Sequence, residues 1–266
     1  LNQNTSLPPS DTTGSLAAFV SRDQYADLPP EVVHQTKRIL LDSMSAMLAG
    51  WAQPHSAPLP GFVEASGPAT SAGVIGSVLR TSAPTAAHVN ALLATETELD
   101  DVFPCVAHLG AITTAVALAI GEDRHLSGKD VIASAAAGFE AGARFGSSMG
   151  VPVYDDADQA YRGVRRSYTV AGVIAAAATA ARALGLDTER TRWAIGIGGS
   201  NSTIPSGAGR WAAAGADQRM FAINDLGWSA KTGVEAALLA ESGVAAFAGI
   251  LDGPRSLAPM AGSPIY

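Results

Sequence analysis

The stretch YTVAGVIAAAATAARALG, residues 168–185, constrains the fold of this chain more than any other. So many alanines in one run give a helix, since alanine is the strongest helix former and pays no side-chain entropy. A helix of this kind has little side-chain area to bury, so it must be held by close backbone approach to neighbours that are themselves small. The chain supplies such neighbours. LGAITTAVALAIGED (109–123), SGKDVIASAAAGFEAGARFGSS (127–148) and GWSAKTGVEAALLAESG (227–243) are all rich in Ala and Gly at helical spacing. The expectation is a mostly α protein, a large all-helical domain over residues 15–266, preceded by a flexible polar arm over residues 1–14.

Helix boundaries follow from local signals. Pro30 and Glu31 open a helix that carries Val33, Leu40, Met44 and Met47 at helical spacing, with Gly50 as its stop. Ser82 and Pro84 open the next, a further helix starts near His108, Ser127 and Asp130 form a capping box, and Asp187 caps the segment TERTRWAIGIGGS. WAQPHSAPLPGF (51–62) reads as loop, and AGVIGS (72–77) is a short strand-like run. VPVYDDADQAYRGVRRS (151–167) reads as a polar connection and NSTIPSGAGRWAAAGADQ (201–218) as a long loop.

Apolar residues make up 47% of the chain and charged residues 15%, which gives a large core and a small polar surface. The net charge of −7 and the lack of any Arg/Lys run argue against nucleic-acid binding. No apolar run reaches the roughly 18–20 residues needed to cross a bilayer. The polar first residues lack the pattern of a signal peptide, so a cytoplasmic protein without membrane contact is expected. Cys105 is the only cysteine, which rules out an internal disulfide and a cysteine-rich zinc site. A surface that would leave apolar patches open on a single copy points to a homodimer.

Against this charge-poor background, TETELDDVFPCVAHLGA (95–111) places Glu96, Glu98, Asp100 and Asp101 within six positions and then reaches His108. Four carboxylates facing one low-dielectric hollow would repel one another. On a helix, Glu98 with Asp101 and Glu96 with Asp100 would occupy two different faces. His108, near the start of a helix, has its pKa lowered by the helix dipole and raised by a neighbouring carboxylate, a balance suited to proton transfer near neutral pH. The plainer alternative makes the acids helix caps and His108 a structural histidine. A metal site of Asp100, Asp101 and His108 has no HExxH or EF-hand pattern behind it, so no metal is expected. His34, His55, His88 and His125 are read as structural or solvated, and Cys105 as a buried inert thiol.

Several segments, in order, resemble the MmgE/PrpD family. LAAFVSRDQYADLPPEVVHQTKRILLDSMSAMLAG is similar to its opening, APTAAHVNALLATETELDD to its Pro-x-x-Ala-Ala-x-x-Asn-Gly segment leading into Leu-Asp-Phe-Asp-Asp, and AHLGA to its His-Pro-Gly-Ala. LSGKDVIASAAAGFEAGARFG, AAAATAARALGLDTERTRWAIGIGGS and GWSAKTGVEAALLAESGV complete a match spread over residues 15–253. The resemblance implies a large helical domain, an active site shared with a smaller α+β lid, and cofactor-free proton transfer next to a carboxylate. The sequence stops at Tyr266 without that lid, so either the lid lies outside this sequence or this is a lidless member.

Carried over residue by residue, the family's catalytic histidine falls on His108 and the first acid of its acidic motif on Glu98, with Asp101 beside it. The Thr that follows becomes Val102, the second pocket histidine becomes Arg166, and a lysine falls near Ala222, with Arg210 or Arg219 as substitutes. His108, Glu98 and Asp101 are therefore the catalytic candidates. Arg166, Arg162, Tyr168 and Asn201 are the substrate-binding candidates, and no cofactor is expected. The reading is a cofactor-independent lyase or isomerase of the dehydratase, decarboxylase or epimerase type, acting on a small molecule. The alternatives are a lidless scaffold cyclising a larger, less polar substrate and a non-catalytic binding protein.

Overall fold

The computed structural model describes residues 11–22, 24–103, 107–149, 153–155, 160–162, 167–202 and 226–260. The helices are α1 (Thr12–Arg22), α2 (Pro30–Trp51), α3 (Leu59–Ala65), α4 (Ala83–Thr95), α5 (Leu109–Asp123), α6 (Gly128–Ser148), α7 (Ser167–Ala183), α8 (Thr188–Ser200), α9 (Leu226–Glu241) and α10 (Leu257–Met260). Among the described residues, two antiparallel strand pairs join them. β1 (Ala72–Gly73) pairs with β2 (Arg80–Thr81), and β3 (Val153–Asp155) pairs with β4 (Ala160–Arg162). The chain is mostly α.

The alanine-rich helix α7 is the axis of the core, packed against α5, α6, α8 and α9. Residues Val170, Ala171 and Val173 to Ala178 are almost without exposed surface. Its most extensive packing is against α6, and glycine makes the close contact possible. A Cβ on Gly142 would sit 2.7 Å from Ala175 Cβ, and one on Gly138 would sit 2.7 Å from the Ala175 carbonyl. The two glycines, one helical turn apart, form a trough into which the Ala171–Ala175–Thr179 ridge of α7 settles. Dispersion between closely set backbones then does what large side chains do in other cores.

Ser127 and Asp187 cap as expected, each side chain accepting from the amide three residues on, Asp130 N at 3.3 Å and Arg190 N at 2.8 Å. Other boundaries differ. Gly50 does not stop α2, which continues to Trp51; a Cβ at Gly50 would strike the Leu93 backbone of α4, so this glycine is a crossing point. Helix α1 starts at Thr12 rather than after residue 14, because Asp11 caps it, accepting from Gly14 N at 3.1 Å, and the Asp252 carboxylate accepts from Thr12 N and Thr13 Oγ1, both at 2.6 Å. The run 51–62 folds into a 3-10 turn at Pro54–Ser56 and the start of α3. The connection 151–167 contains the β3–β4 hairpin, and 72–77 keeps only two strand residues.

Candidate active site

The acidic stretch is not helical, so the two-face arrangement expected of its carboxylates does not form. Helix α4 ends at Thr95, and the chain reverses through Glu98, whose φ of +53° lies in the left-handed region. Each acid then goes its own way. The Glu96 carboxylate is buried and pairs with Nδ1 of half-buried His55, from the Pro54–Ser56 turn. Glu98 points outward and is exposed. The Asp100 side chain is fully buried, and its Oδ2 accepts from His108 Nδ1–H at 3.0 Å. Asp101 Oδ2 accepts from the backbone N–H of Gly110, in the first turn of α5, at 3.2 Å. Four carboxylates are tolerable here because Glu96, Asp100 and Asp101 are drawn to separate groups and Glu98 lies at the exposed surface.

The AHLGA segment is built to receive them. His108 occupies the N-cap position of α5 and is held by Asp100. A Cβ on Gly110 would overlap the Asp101 carboxylate and stand 2.6 Å from Ile39 Cγ2 of α2. Only glycine leaves room there for a carboxylate to reach the helix amide. Just upstream, Phe103 and Ala107 form an antiparallel bridge, with Phe103 N–H donating to the Ala107 carbonyl at 2.9 Å. Phe103 stands edge-on to Phe139 of α6, with ring centroids 6.0 Å apart. The residue before His108 is thereby locked to the bundle.

The electrostatics follow from these contacts. Burial alone would lower the His108 pKa, but the hydrogen bond from Asp100 and the fields of Asp100, Glu98 and Asp101 outweigh it and raise it above the ordinary histidine value. Burial pushes the Asp101 carboxyl up to about 6; the Gly110 amide opposes this, while Asp100 and Asp42 add to it. His108 therefore favours its charged form, with Nδ1–H committed to Asp100.

Of the catalytic candidates, His108 and Asp101 lie in this cluster, while exposed Glu98 contributes its field to His108. The direct partner of His108 is Asp100, which the sequence reading placed on a different face from Glu98 and did not assign to catalysis. His55, read as structural or solvated, holds Glu96. Neither pairing carries a local sequence signal, since both connect segments that meet only in the fold. Among the substrate-binding candidates, Arg162 lies in β4 and Tyr168 in the first turn of α7, both described by backbone only. Asn201 ends α8 and donates to the Ile197 carbonyl at 2.8 Å, which ties its side chain to its own helix. Arg166, Cys105, Arg210, Arg219 and Ala222 lie outside the described residues. Among the described residues, no three His, Cys, Asp or Glu side chains are grouped to hold a metal ion.

Residues 14–263 match the MmgE/PrpD N-terminal domain. The chain is also 30% identical, over 200 residues, to the cis-aconitate decarboxylase-like protein oryM of Aspergillus oryzae. That similarity covers 72% of this chain and 40% of the relative, so the chain spans about two fifths of the protein it resembles. With nearly the whole chain accounted for by one helical family domain, the conclusion is that this protein belongs to the MmgE/PrpD family.

Proposed function

We propose that this chain carries the proton-transfer residues of a cofactor-independent lyase or isomerase, of the dehydratase, decarboxylase or epimerase type, acting on a small carboxylate or carbonyl compound. The supporting observation is the buried Asp100–His108 pair, with Nδ1 of the imidazole 3.0 Å from the carboxylate. Asp100 fixes the tautomer and orientation of the ring, and His108 Nε2 gives or takes the proton next to the substrate's carboxylate. Such positioned acid–base groups contribute about 10²–10⁴-fold to rate. Asp101 sets the start of α5, Glu98 supplies negative field from outside, and Arg166 with Arg162 would hold the substrate carboxylate. Tyr168 lies beside them in sequence. The protein is proposed to work in the cytoplasm as a homodimer; exposed Leu41 and Leu48, two turns apart on α2, give it an apolar surface to pair through.

A second reading, a larger and less polar substrate, draws support from Leu99 and Val102. They flank Asp100 and Asp101 and are 65% and 51% exposed. The experiment is a thermal-shift screen of di- and tricarboxylates against uncharged ring compounds, followed by turnover assays on the compounds that stabilise. The proposal expects a carboxylate to bind and His108→Ala to lower its turnover by at least 100-fold. Undiminished turnover in that variant would end the proton-transfer reading.

A further inference from the structure

A second feature lies behind the His108 segment. Helices α1, α2 and α6 and the Tyr25–Asp27 turn line a half-open cavity of about 460 Å³. Its floor is the alanine face of α6, including Ala133, Ala136 and Ala137, and its walls include Phe19, Val32, Ile39 and Phe139. That volume falls within the range of small-molecule sites, which are mostly apolar.

The polar groups around it decide what it can take. Thr36 Oγ1 donates to the Val32 carbonyl at 2.8 Å, and Thr113 Oγ1 donates to the Leu109 carbonyl at 2.9 Å. Asp27 accepts from Gln24 N at 2.9 Å, and Gln35 Oε1 accepts from Arg38 at 3.0 Å. Arg144 Nε donates to Glu140 Oε1 at 2.5 Å. Every polar side chain of the lining thus has a partner within the protein, and the one guanidinium is already matched by a carboxylate. An anionic ligand would lose its hydration here and find the one guanidinium already matched. An uncharged apolar body loses little and gains ring and methyl contacts.

The cavity also touches the candidate active site. Ile39 abuts Gly110, the residue whose amide holds Asp101. Thr113 lies one turn further along α5, and Phe139 packs edge-on against Phe103, next to the bridge that leads into His108. A body filling the cavity presses on both attachments of the His108 segment.

We infer that this cavity is a binding site for an uncharged, apolar small molecule, and that its occupancy is transmitted to His108 through Ile39 and Phe139. Binding is read without turnover, so its failure would leave the proton-transfer proposal untouched, and the reverse holds as well. The test is NMR of the full chain, following the Ile39 and Ala136 methyls and the His108 ring while naphthalene or 2-naphthoate is added. Naphthalene should give saturable shifts at both methyls and at His108, with 2-naphthoate at least tenfold weaker. Ala136→Leu should abolish the naphthalene response while keeping the wild-type near-ultraviolet circular dichroism. If that variant does not fold, Val32→Leu at the exposed rim should weaken the response instead. Absent shifts, equal or tighter binding of 2-naphthoate, or a silent His108 would overturn the inference. So would a naphthalene response that disappears as sedimentation shows two copies closing over the cavity.

Discussion

His88 and His108 are almost equally buried, 5% and 6% exposed, on successive helical segments, yet their imidazoles are driven in opposite directions. His88 sits on α4 among rings, edge-on to Trp228 at 4.8 Å and tilted against Phe62 at 5.5 Å. Burial and the nearby Lys231 ammonium lower its pKa to about 4. His108 experiences the same desolvation, but Asp100, Glu98 and Asp101 reverse the outcome. Burial therefore does not decide what a histidine does; the charges buried with it do. One site is built to keep a ring neutral and the other to keep a ring charged.

Breaking the charged site should have the largest effect. Asp100→Ala leaves a buried imidazolium without its partner, at a cost of about 3–5 kcal/mol. His108 has a raised pKa when folded, so the stability it contributes is fully present below about pH 6.5 and is lost as pH rises through the folded value. The variant's deficit in chemical denaturation should accordingly be greatest at pH 5–6 and smallest at pH 9. Gly110→Ala comes next. Its new methyl displaces the Asp101 carboxylate, with an expected loss of about 2–3 kcal/mol in the same assay.

Asp101→Asn should act in the other direction. The folded carboxyl titrates near 6 and the unfolded one near 3.8, so the native state holds its proton longer, and stability falls as pH rises across that window. The amide oxygen of Asn still accepts from Gly110, so the variant should gain about 2 kcal/mol at pH 7 and show a flatter pH profile. The smallest change at neutral pH belongs to the apolar site. His88→Phe keeps the ring contacts and should cost under about 1 kcal/mol at pH 7. Wild-type His88 stays neutral when folded while the unfolded chain takes up a proton, so wild-type stability falls from pH 6.5 toward pH 4. At pH 5 the variant should therefore be the more stable by about 2 kcal/mol, as thermal denaturation would read it.

What the sequence revealed divides along the same line. Helices α4 to α9 were legible because alanine content, Ser and Asp caps and apolar spacing are local properties, and the small residues of α6 and α7 announced close packing. His108 and its acidic neighbourhood were legible by position. The pairings were not: treating 95–101 as helical hid the left-handed turn at Glu98, and with it the fact that Asp100, not Glu98, meets His108. Gly50 looked like a stop and is a contact with α4, because a glycine's neighbours across the bundle leave no mark on its own segment. The cap of α1 is the local Asp11, but the further tie from Asp252, 240 positions away, left no mark on the segment.

The most direct measurement is an NMR titration of the His108 ring in the wild-type chain and in Asp100→Asn. A working Asp100–His108 pair requires a wild-type pKa above the ordinary 6.5 and a clear fall in the variant, with the ring still buried. A wild-type value below 6.5, or the same value in both proteins, would show that Asp100 does not hold the charged ring, and the proton-transfer site would have to be sought elsewhere.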